Sequence, residues 1–261
     1  MNGFAMYRRL AAASIRGQLQ YRLSFALTAI AVICQTGIEF IAILALFARF
    51  GQIGGWTLPE VALFYGMISI TWAICDSIAR GFDTFDQTVK AGNFDRVLVR
   101  PRSTVLQLLG QELTLRRVGR LLQGFGVLGY AIVAGNIAWT VPRALLVVAS
   151  IASGVCVSLG LVVLQATMAF WTTESLEVWN AFTYGGVTMS QYPLAIYRSW
   201  LRELFTYGIP LACVNYLPGL AILGRSDSVV DWLAPLVGPV FLAICFQIWR
   251  FGVRHYRSTG S

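Results

Sequence analysis

Residues 204–223, LFTYGIPLACVNYLPGLAIL, decide how many times this chain can cross a lipid bilayer. The stretch has the roughly 20 mostly apolar residues that a membrane-spanning helix needs. Pro210 and Pro218 interrupt it, and each proline removes a backbone N–H and clashes with the preceding helical turn. We therefore predict a broken, re-entrant hairpin here. Because non-helical backbone at membrane depth must be surrounded by protein or line a cavity, the hairpin should pack against other helices or a pathway.

The composition of the whole chain supports a membrane location. Of its 261 residues, 57% are hydrophobic and 12% are charged, and the mean hydropathy is +0.66. Soluble domains have about 45–50% apolar and about 25% charged residues, so soluble, fibrous and disordered proteins are excluded. The net charge of +8 would suggest a nucleic-acid partner in a soluble protein, but here the basic residues flank apolar runs. We predict an all-α, polytopic membrane protein with one transmembrane domain over residues 1–261 and no nucleic-acid partner.

Six other apolar runs are candidates for membrane spans. The first starts about 20 residues into the chain, is too long for a signal peptide and lacks an A-x-A site, so we expect no cleavable signal. The second begins with a capping box, in which Thr57 precedes Glu60 by three residues and Pro59 lies in the first turn. The six runs cover residues 23–48, 58–78, 121–138, 143–171, 175–191 and 232–249.

The positions of the basic residues determine the number of spans. Lys and Arg accumulate on the cytoplasmic side of membrane proteins, and 15 of the 20 basic residues lie before the first span, after the last, or within residues 80–120. These three segments share one side only if the number of spans is even. We therefore predict six transmembrane helices with both termini cytoplasmic, and an extracellular, re-entrant segment at residues 192–225. Residues 1–22 mix arginines with apolar residues, which predicts an amphipathic helix in the cytoplasmic interface.

The sequence contains few residues that could form a catalytic, metal or nucleotide site. Its one histidine, His255, lies in the basic tail, which leaves no Ser-His or Cys-His pair and no HExxH motif. The five cysteines lie inside apolar stretches without clustered spacing and are interpreted as small buried hydrophobes. No G-x-x-x-x-G-K-[ST] motif surrounds the only lysine, Lys90, so the chain cannot bind ATP through a P-loop. We expect no catalytic residue, cofactor or metal ion in this chain.

Two features inside the predicted spans could serve either structure or function. Glu39 lies in the first span, where an ionisable residue is costly. It is either a structural partner within the bundle or a candidate for lining a pathway. Ser150, Gly154 and Ser158 recur at four-residue spacing in the fourth span, and such small residues let helices approach closely. The stripe predicts packing within the chain, or else a seam between two subunits.

Tryptophans mark the ends of the predicted helices. Trp is enriched where a membrane helix meets the headgroup region, because its ring is apolar and its N–H is polar. We expect this anchoring role for seven of the eight tryptophans: Trp56, Trp139, Trp171, Trp179, Trp200, Trp232 and Trp249.

Residues 80–120 form the longest polar stretch and mix acidic with basic residues. A lipid-binding patch would be uniformly basic, whereas mixed charge together with Phe82, Phe85 and Phe94 is typical of a protein docking surface. The alternative is a solvated linker with a juxtamembrane helix. Pro101 ends one element, and Ser103 could cap a helix over residues 104–120 that leads into the third span.

Three stretches resemble one family of membrane proteins. GNFDRVLVRP, residues 92–101, resembles the G-x-[FL]-D-x-x-L-x-R-P signature of ABC-2-type exporter permeases. YPLAIY, residues 192–197, and PLACVNYLP, residues 210–218, resemble later stretches of the six-helix subfamily, which is usually met as two permeases beside a separate ATPase. Their order and spacing match, so with the basic N-terminal helix the resemblance covers nearly the whole chain.

The resemblance implies a type V ABC exporter fold in a bacterial-type cell membrane. It implies an interfacial helix before the first span, a coupling helix in residues 80–120 and re-entrant helices before the last span. The implied partners are two ATPase subunits, which carry Mg–ATP, and a second permease that forms a heterodimer with this chain. The residues expected to couple ATP hydrolysis to transport are Phe82, Asp83, Phe85, Asp86, Phe94, Asp95, Arg96 and Arg100.

Two other functions stay open from the residues alone. A stand-alone carrier or channel would transport its substrate without any ATPase, and a membrane scaffold would not transport at all. The cargo is also open, since apolar helices with few fixed charges suit an amphipathic or lipid-like substrate but equally allow polysaccharide or peptide export. The direction of transport rests on the resemblance.

Overall fold

A computed structural model describes residues 22–110, 118–172 and 176–256, whose regular secondary structure is helical. The predicted interfacial helix lies almost wholly outside the described residues. Helix α1 covers Arg22–Phe50 and α2 covers Leu58–Ile78. The predicted capping box is confirmed, because the Thr57 backbone N–H donates to Glu60 Oε2 at 2.8 Å. The start of α2 is thus defined by its own local sequence.

Four short helices fold the polar loop that follows. They are α3 (Arg80–Asp83), α4 (Phe85–Lys90), α5 (Phe94–Leu98) and α6 (Thr104–Leu109). Gly92 has a φ of +65°, and its N–H donates to Val89 O while that of Asn93 donates to Thr88 O. This Schellman motif ends α4, and its left-handed position favours glycine. Ser103 lies at the N-cap position of α6 as predicted, but its side chain makes no capping hydrogen bond. The helix ends at Leu109 instead of continuing to residue 120, and residues 111–117 are not described.

Three longer helices come next in the chain. They are α7 (Val118–Ala134), α8 (Val141–Met168) and α9 (Leu176–Ser190). Pro142 lies in the first turn of α8, where its missing N–H is not needed. The bounds agree with the third, fourth and fifth predicted spans to within a few residues, except that the third ends earlier, at Ala134.

The predicted break in residues 204–223 is confirmed. The arms Ser199–Gly208 and Ala212–Ile222 meet at an angle of 85° across Pro210. The first arm begins with α10 (Ser199–Glu203), and the second ends with α11 (Leu217–Ile222). As expected, the second arm packs inside the protein: Asn215 is buried, and its Nδ2 donates to Ser190 O at 2.6 Å, at the end of α9.

The last predicted span is a continuous apolar segment, Val229–His255, which contains α12 (Val229–Leu233) and α13 (Val237–His255). Within the described ranges, four helices are long and apolar enough to cross a membrane, and the bent pair would be a fifth span. Helices α7 and α9 have 17 and 15 described residues. The chain is therefore a polytopic, all-helical membrane protein, and its division into six spans stays a prediction.

Helix α2 forms the centre of the bundle. Most of its residues are buried, whereas α1 buries Ile43 and Phe47 and leaves most of its apolar side chains exposed. Close helix contacts depend on small residues: a Cβ on Gly66 of α2 would lie 2.9 Å from the backbone of Leu128 on α7. The outer faces of α1 and α13 are apolar, as lipid or another protein requires.

The stripe of small residues on α8 lies within the chain. Ser150 and Ser158 are buried. A Cβ on Gly154 would lie 2.8 Å from Thr71 Cγ2 on α2. Gly154 is thus in close contact with α2, and the burial of all the serines of the stripe favours packing within the chain over a seam between subunits.

Candidate functional site

The polar loop is folded over a cluster of six aromatic side chains, which we call the aromatic cluster. Its rings pack edge to face or tilted, the arrangement that aromatic quadrupoles favour. The Phe85 ring lies 4.9 Å from that of Phe94 and 5.0 Å from that of Trp249. The Phe82 ring lies 5.1 Å from Trp249. The members are Phe82, Phe85, Phe94, Phe170, Trp249 and Tyr256.

The aromatic cluster joins the loop to the ends of two long helices. Phe170 follows the last residues of α8, and Trp249 belongs to α13. The Trp249 indole N–H also donates to Thr104 Oγ1 on α6 at 3.1 Å. The loop is therefore in direct side-chain contact with α13 and with the residues that follow α8.

The phenylalanines of the loop lie inside the protein and not on its surface. Phe82, Phe85 and Phe94 are at most 1% exposed. This placement differs from the expectation of rings on a docking surface, since three short helices each turn one ring toward the aromatic cluster. Their position suits them to hold the loop in place, while other residues meet solvent or a partner.

Two of the tryptophans expected at membrane interfaces are buried instead. Trp249 is 1% exposed within the aromatic cluster, and Trp56 is 4% exposed. The Arg225 guanidinium lies 4.0 Å from the centroid of the Trp56 ring. The interfacial prediction is therefore wrong for these two residues, because proximity to a helix end did not show which side of the helix faces protein.

The tertiary structure separates the mixed charges of the loop. Asp83 pairs with Arg80 at 2.6 Å, and Asp86, itself 8% exposed, lies 3.6 Å from Lys90. Asp95 is half-buried, whereas Arg96, Arg100 and Arg102 are exposed. Two of the acidic groups are thus paired with basic residues of the same helix, and the third is half-buried. The exposed surface of residues 96–102 is therefore basic.

An open cleft of 270 Å³ lies in this basic surface. Arg96 and Arg100 contribute to its walls together with Thr88, Asn93 and Val97. Beside it, Val99 is 83% exposed and Leu98 is 39% exposed. Our sequence interpretation did not select these two residues, although an apolar pair between two arginines was a detectable signal.

Gln107 holds the tip of the loop, by which we mean residues 97–102. Our sequence interpretation did not select this residue either. The residue is buried on α6, and its Nε2 donates to Val97 O at 3.1 Å and to Arg102 O at 3.2 Å. The two hydrogen bonds tie both ends of residues 97–102 to α6. No sequence pattern indicated this contact, since glutamine is common on exposed helix faces.

Glu39 lies away from the loop, among polar aromatic residues. It is half-buried on α1. Burial raises the pKa of the Tyr192 phenol above its ordinary value, and the charge of Glu39 raises it further. On the neighbouring α2, the Tyr65 hydroxyl accepts a hydrogen bond from Gln123 Nε2 at 3.2 Å. The carboxylate therefore lies near the YPLAIY stretch.

A comparison with protein families adds one finding. The profile of a family described as "ABC-2 family transporter protein" matches residues 33–260, most of the chain. No curated protein and no solved structure matches the chain. Among the residues that the structure describes, no group of His, Cys, Asp and Glu side chains could hold a metal ion.

Proposed function

Since this chain belongs to the ABC-2 transporter family, we propose that it is the permease subunit of an ATP-driven exporter. Membership makes it a multi-pass membrane component of a transporter. In the proposed complex a second permease completes the substrate pathway as a heterodimer, and two ATPase subunits bind Mg–ATP at the cytoplasmic side. The chain itself supplies helices whose arrangement differs between inward-facing and outward-facing states.

The observation that carries this proposal is the packing of the loop on the aromatic cluster. Coupling requires that a push on the cytoplasmic surface move a spanning helix as one body. Phe85 and Phe94 pack on Trp249 of α13, so a push on the loop acts on that helix directly. In this proposal Asp95, Arg96 and Arg100 meet the ATPase, while Asp83 and Asp86 hold Arg80 and Lys90.

Glu39 is the residue proposed for the substrate pathway. Its half-buried carboxylate on the loosely packed α1 is a costly feature at membrane depth, and such residues usually serve transport. We expect E39Q to change transport while leaving the complex with the ATPase intact. Loss of the assembled complex in E39Q would instead assign Glu39 a structural role.

The proposed location is a bacterial-type cell membrane, with both termini in the cytoplasm. The basic residues of the loop and of the two ends support one shared cytoplasmic side. A fluorescent tag or a protease-cleavable tag placed at each terminus should report the same side of the membrane. Opposite sides would contradict the even number of spans.

The first experiment is purification of the full chain from its native membrane in mild detergent. We expect a P-loop ATPase and a second permease in fixed stoichiometry, and ATP-dependent transport after reconstitution. Charge reversal at Asp95 or Arg96 should lower the stimulation of ATP hydrolysis. A homo-oligomer that transports without any ATPase would contradict the proposal and favour a stand-alone carrier, and an assembly that transports nothing would favour a scaffold.

A further inference from the structure

We infer that the cleft between Arg96 and Arg100 receives a carboxylate side chain of the ATPase, while Val99 enters an apolar depression beside it. This inference rests on the proposed function, since it describes how the same loop would meet its partner. It predicts that the complementary surface of the ATPase has an acidic rim and an apolar floor.

The first argument is the uncompensated charge at the cleft. Within the described ranges, neither Arg96 nor Arg100 has an ion-pair partner, and both guanidinium groups are exposed. They lie four residues apart, and Val99 between them keeps helical φ and ψ angles of −67° and −22°. Like charges at this spacing repel each other. An anion between them would remove the repulsion and gain charge-assisted hydrogen bonds.

The second argument is the apolar side chain at the tip, whose backbone is tied to α6 at both ends. Val99 is 83% exposed, yet the chain on both sides of it is held by Gln107 through Val97 O and Arg102 O. An exposed apolar side chain on a fixed backbone loses little entropy on binding. Interfaces commonly combine an apolar anchor of this kind with a polar rim.

The third argument concerns the direction in which the tip faces. Phe94 and Phe85 turn toward α13 and the end of α8. Arg96, Val99 and Arg100 are exposed instead, so they lie on the surface of the loop that turns away from these helices. Guanidinium groups pair two hydrogen bonds at once with carboxylates and with phosphates. The exposed Val99 beside the cleft favours an acidic protein over the anionic membrane surface, because protein interfaces combine an apolar anchor with a polar rim.

The test compares two double charge reversals in the full complex. R96E/R100E alters the cleft, and R250E/R254E is the matched control, because Arg250 and Arg254 are also exposed and four residues apart at the cytoplasmic end of α13. We expect R96E/R100E to weaken binding of the ATPase that co-purifies with the unmodified chain by about tenfold or more at low salt, with little change in the control. The affinity of the unmodified chain should fall as salt rises.

A photo-reactive amino acid at position 99 identifies the surface that the tip meets. We expect the cross-link to fall on the ATPase beside Asp or Glu residues, and reversal of those acids to Lys should restore binding to R96E/R100E. Unchanged affinity in R96E/R100E while the ATPase still co-purifies would overturn this inference and leave the proposed function standing. If the unmodified chain binds no ATPase, both fail.

The membrane alternative is tested without the ATPase. The chain is placed in nanodiscs of phosphatidylcholine or of phosphatidylglycerol, and trypsin cleavage after Arg96 is followed over time. Equal cleavage in both lipids supports a protein partner. Protection in phosphatidylglycerol alone, lost in an R100E variant, would assign the cleft to anionic headgroups and overturn the inference.

Discussion

Arg225 and Glu60 are 165 residues apart in the sequence, and their side chains form a two-point ion pair. Arg225 Nε lies 2.7 Å from Glu60 Oε1, and Nη2 lies 2.9 Å from Oε2. Nη2 also donates to Gly55 O at 2.8 Å. Gly224, with a φ of +68°, ends α11 in a Schellman motif and so directs Arg225 toward α2. The pair ties the end of the broken hairpin to the first turn of α2.

Removing this ion pair should loosen the hairpin. We expect R225A to lower the stability of the purified protein by about 1 kcal/mol, since bidentate geometry favours the pair while partial exposure weakens it. Thermal unfolding of R225A, E60A and the double variant in mild detergent measures the coupling energy. R198A removes an exposed arginine from the same segment, residues 192–225, and serves as the control. Additive effects of R225A and E60A would show that the pair contributes nothing.

The aromatic cluster should stabilise the polar loop strongly. Phe94 is fully buried, and truncation of a buried Phe costs about 3–5 kcal/mol. We expect F94A to expose residues 80–110 to rapid hydrogen exchange, and F94L to do so much less because it keeps most of the volume. V99A, at an exposed site in the same loop, should leave exchange unchanged. Equal protection in F94A and the unmodified chain would contradict the role given to the cluster.

Gln107 should determine the mobility of the tip. Q107L removes the hydrogen bonds to Val97 O and Arg102 O, each contributing about 0.5–1.5 kcal/mol. Local unfolding of residues 97–102 should become more frequent by about tenfold or more. Trypsin would then cleave faster between Arg102 and Ser103. The matched control is Q87L, because Gln87 is exposed on α4 in the same loop. Similar cleavage in both variants would show that the tip is held by other contacts.

The contact between α8 and α2 should be sensitive to one methyl group. In G154A the new Cβ would lie 2.8 Å from Thr71 Cγ2, and such overpacking typically costs about 1–3 kcal/mol. T71A removes that Cγ2, so the G154A/T71A variant should regain much of the thermal stability lost in G154A. G129A on α7, where nothing lies within 4 Å of the added Cβ, is the control. If T71A fails to compensate, the two helices do not pack through these residues.

The sequence by itself predicted the membrane class, the main helices and the break at Pro210. Hydropathy over about 20 residues, a capping box at Thr57 and a proline at position 210 act within a few turns of the backbone. The signature stretch GNFDRVLVRP also identified the family that the profile comparison supports. These features are local, so they can be read without knowing which helices are neighbours.

Only the tertiary structure decided which side of each segment is covered. Phe94 and Trp249 are 155 positions apart, and each alone resembled a surface or interfacial residue, but together they are buried. The same holds for the charges of the loop, which are mixed along the chain yet basic on its outer surface. Burial and pairing depend on partners brought together by packing, so Gln107, Val99 and Arg225 acquired their importance only in the folded chain.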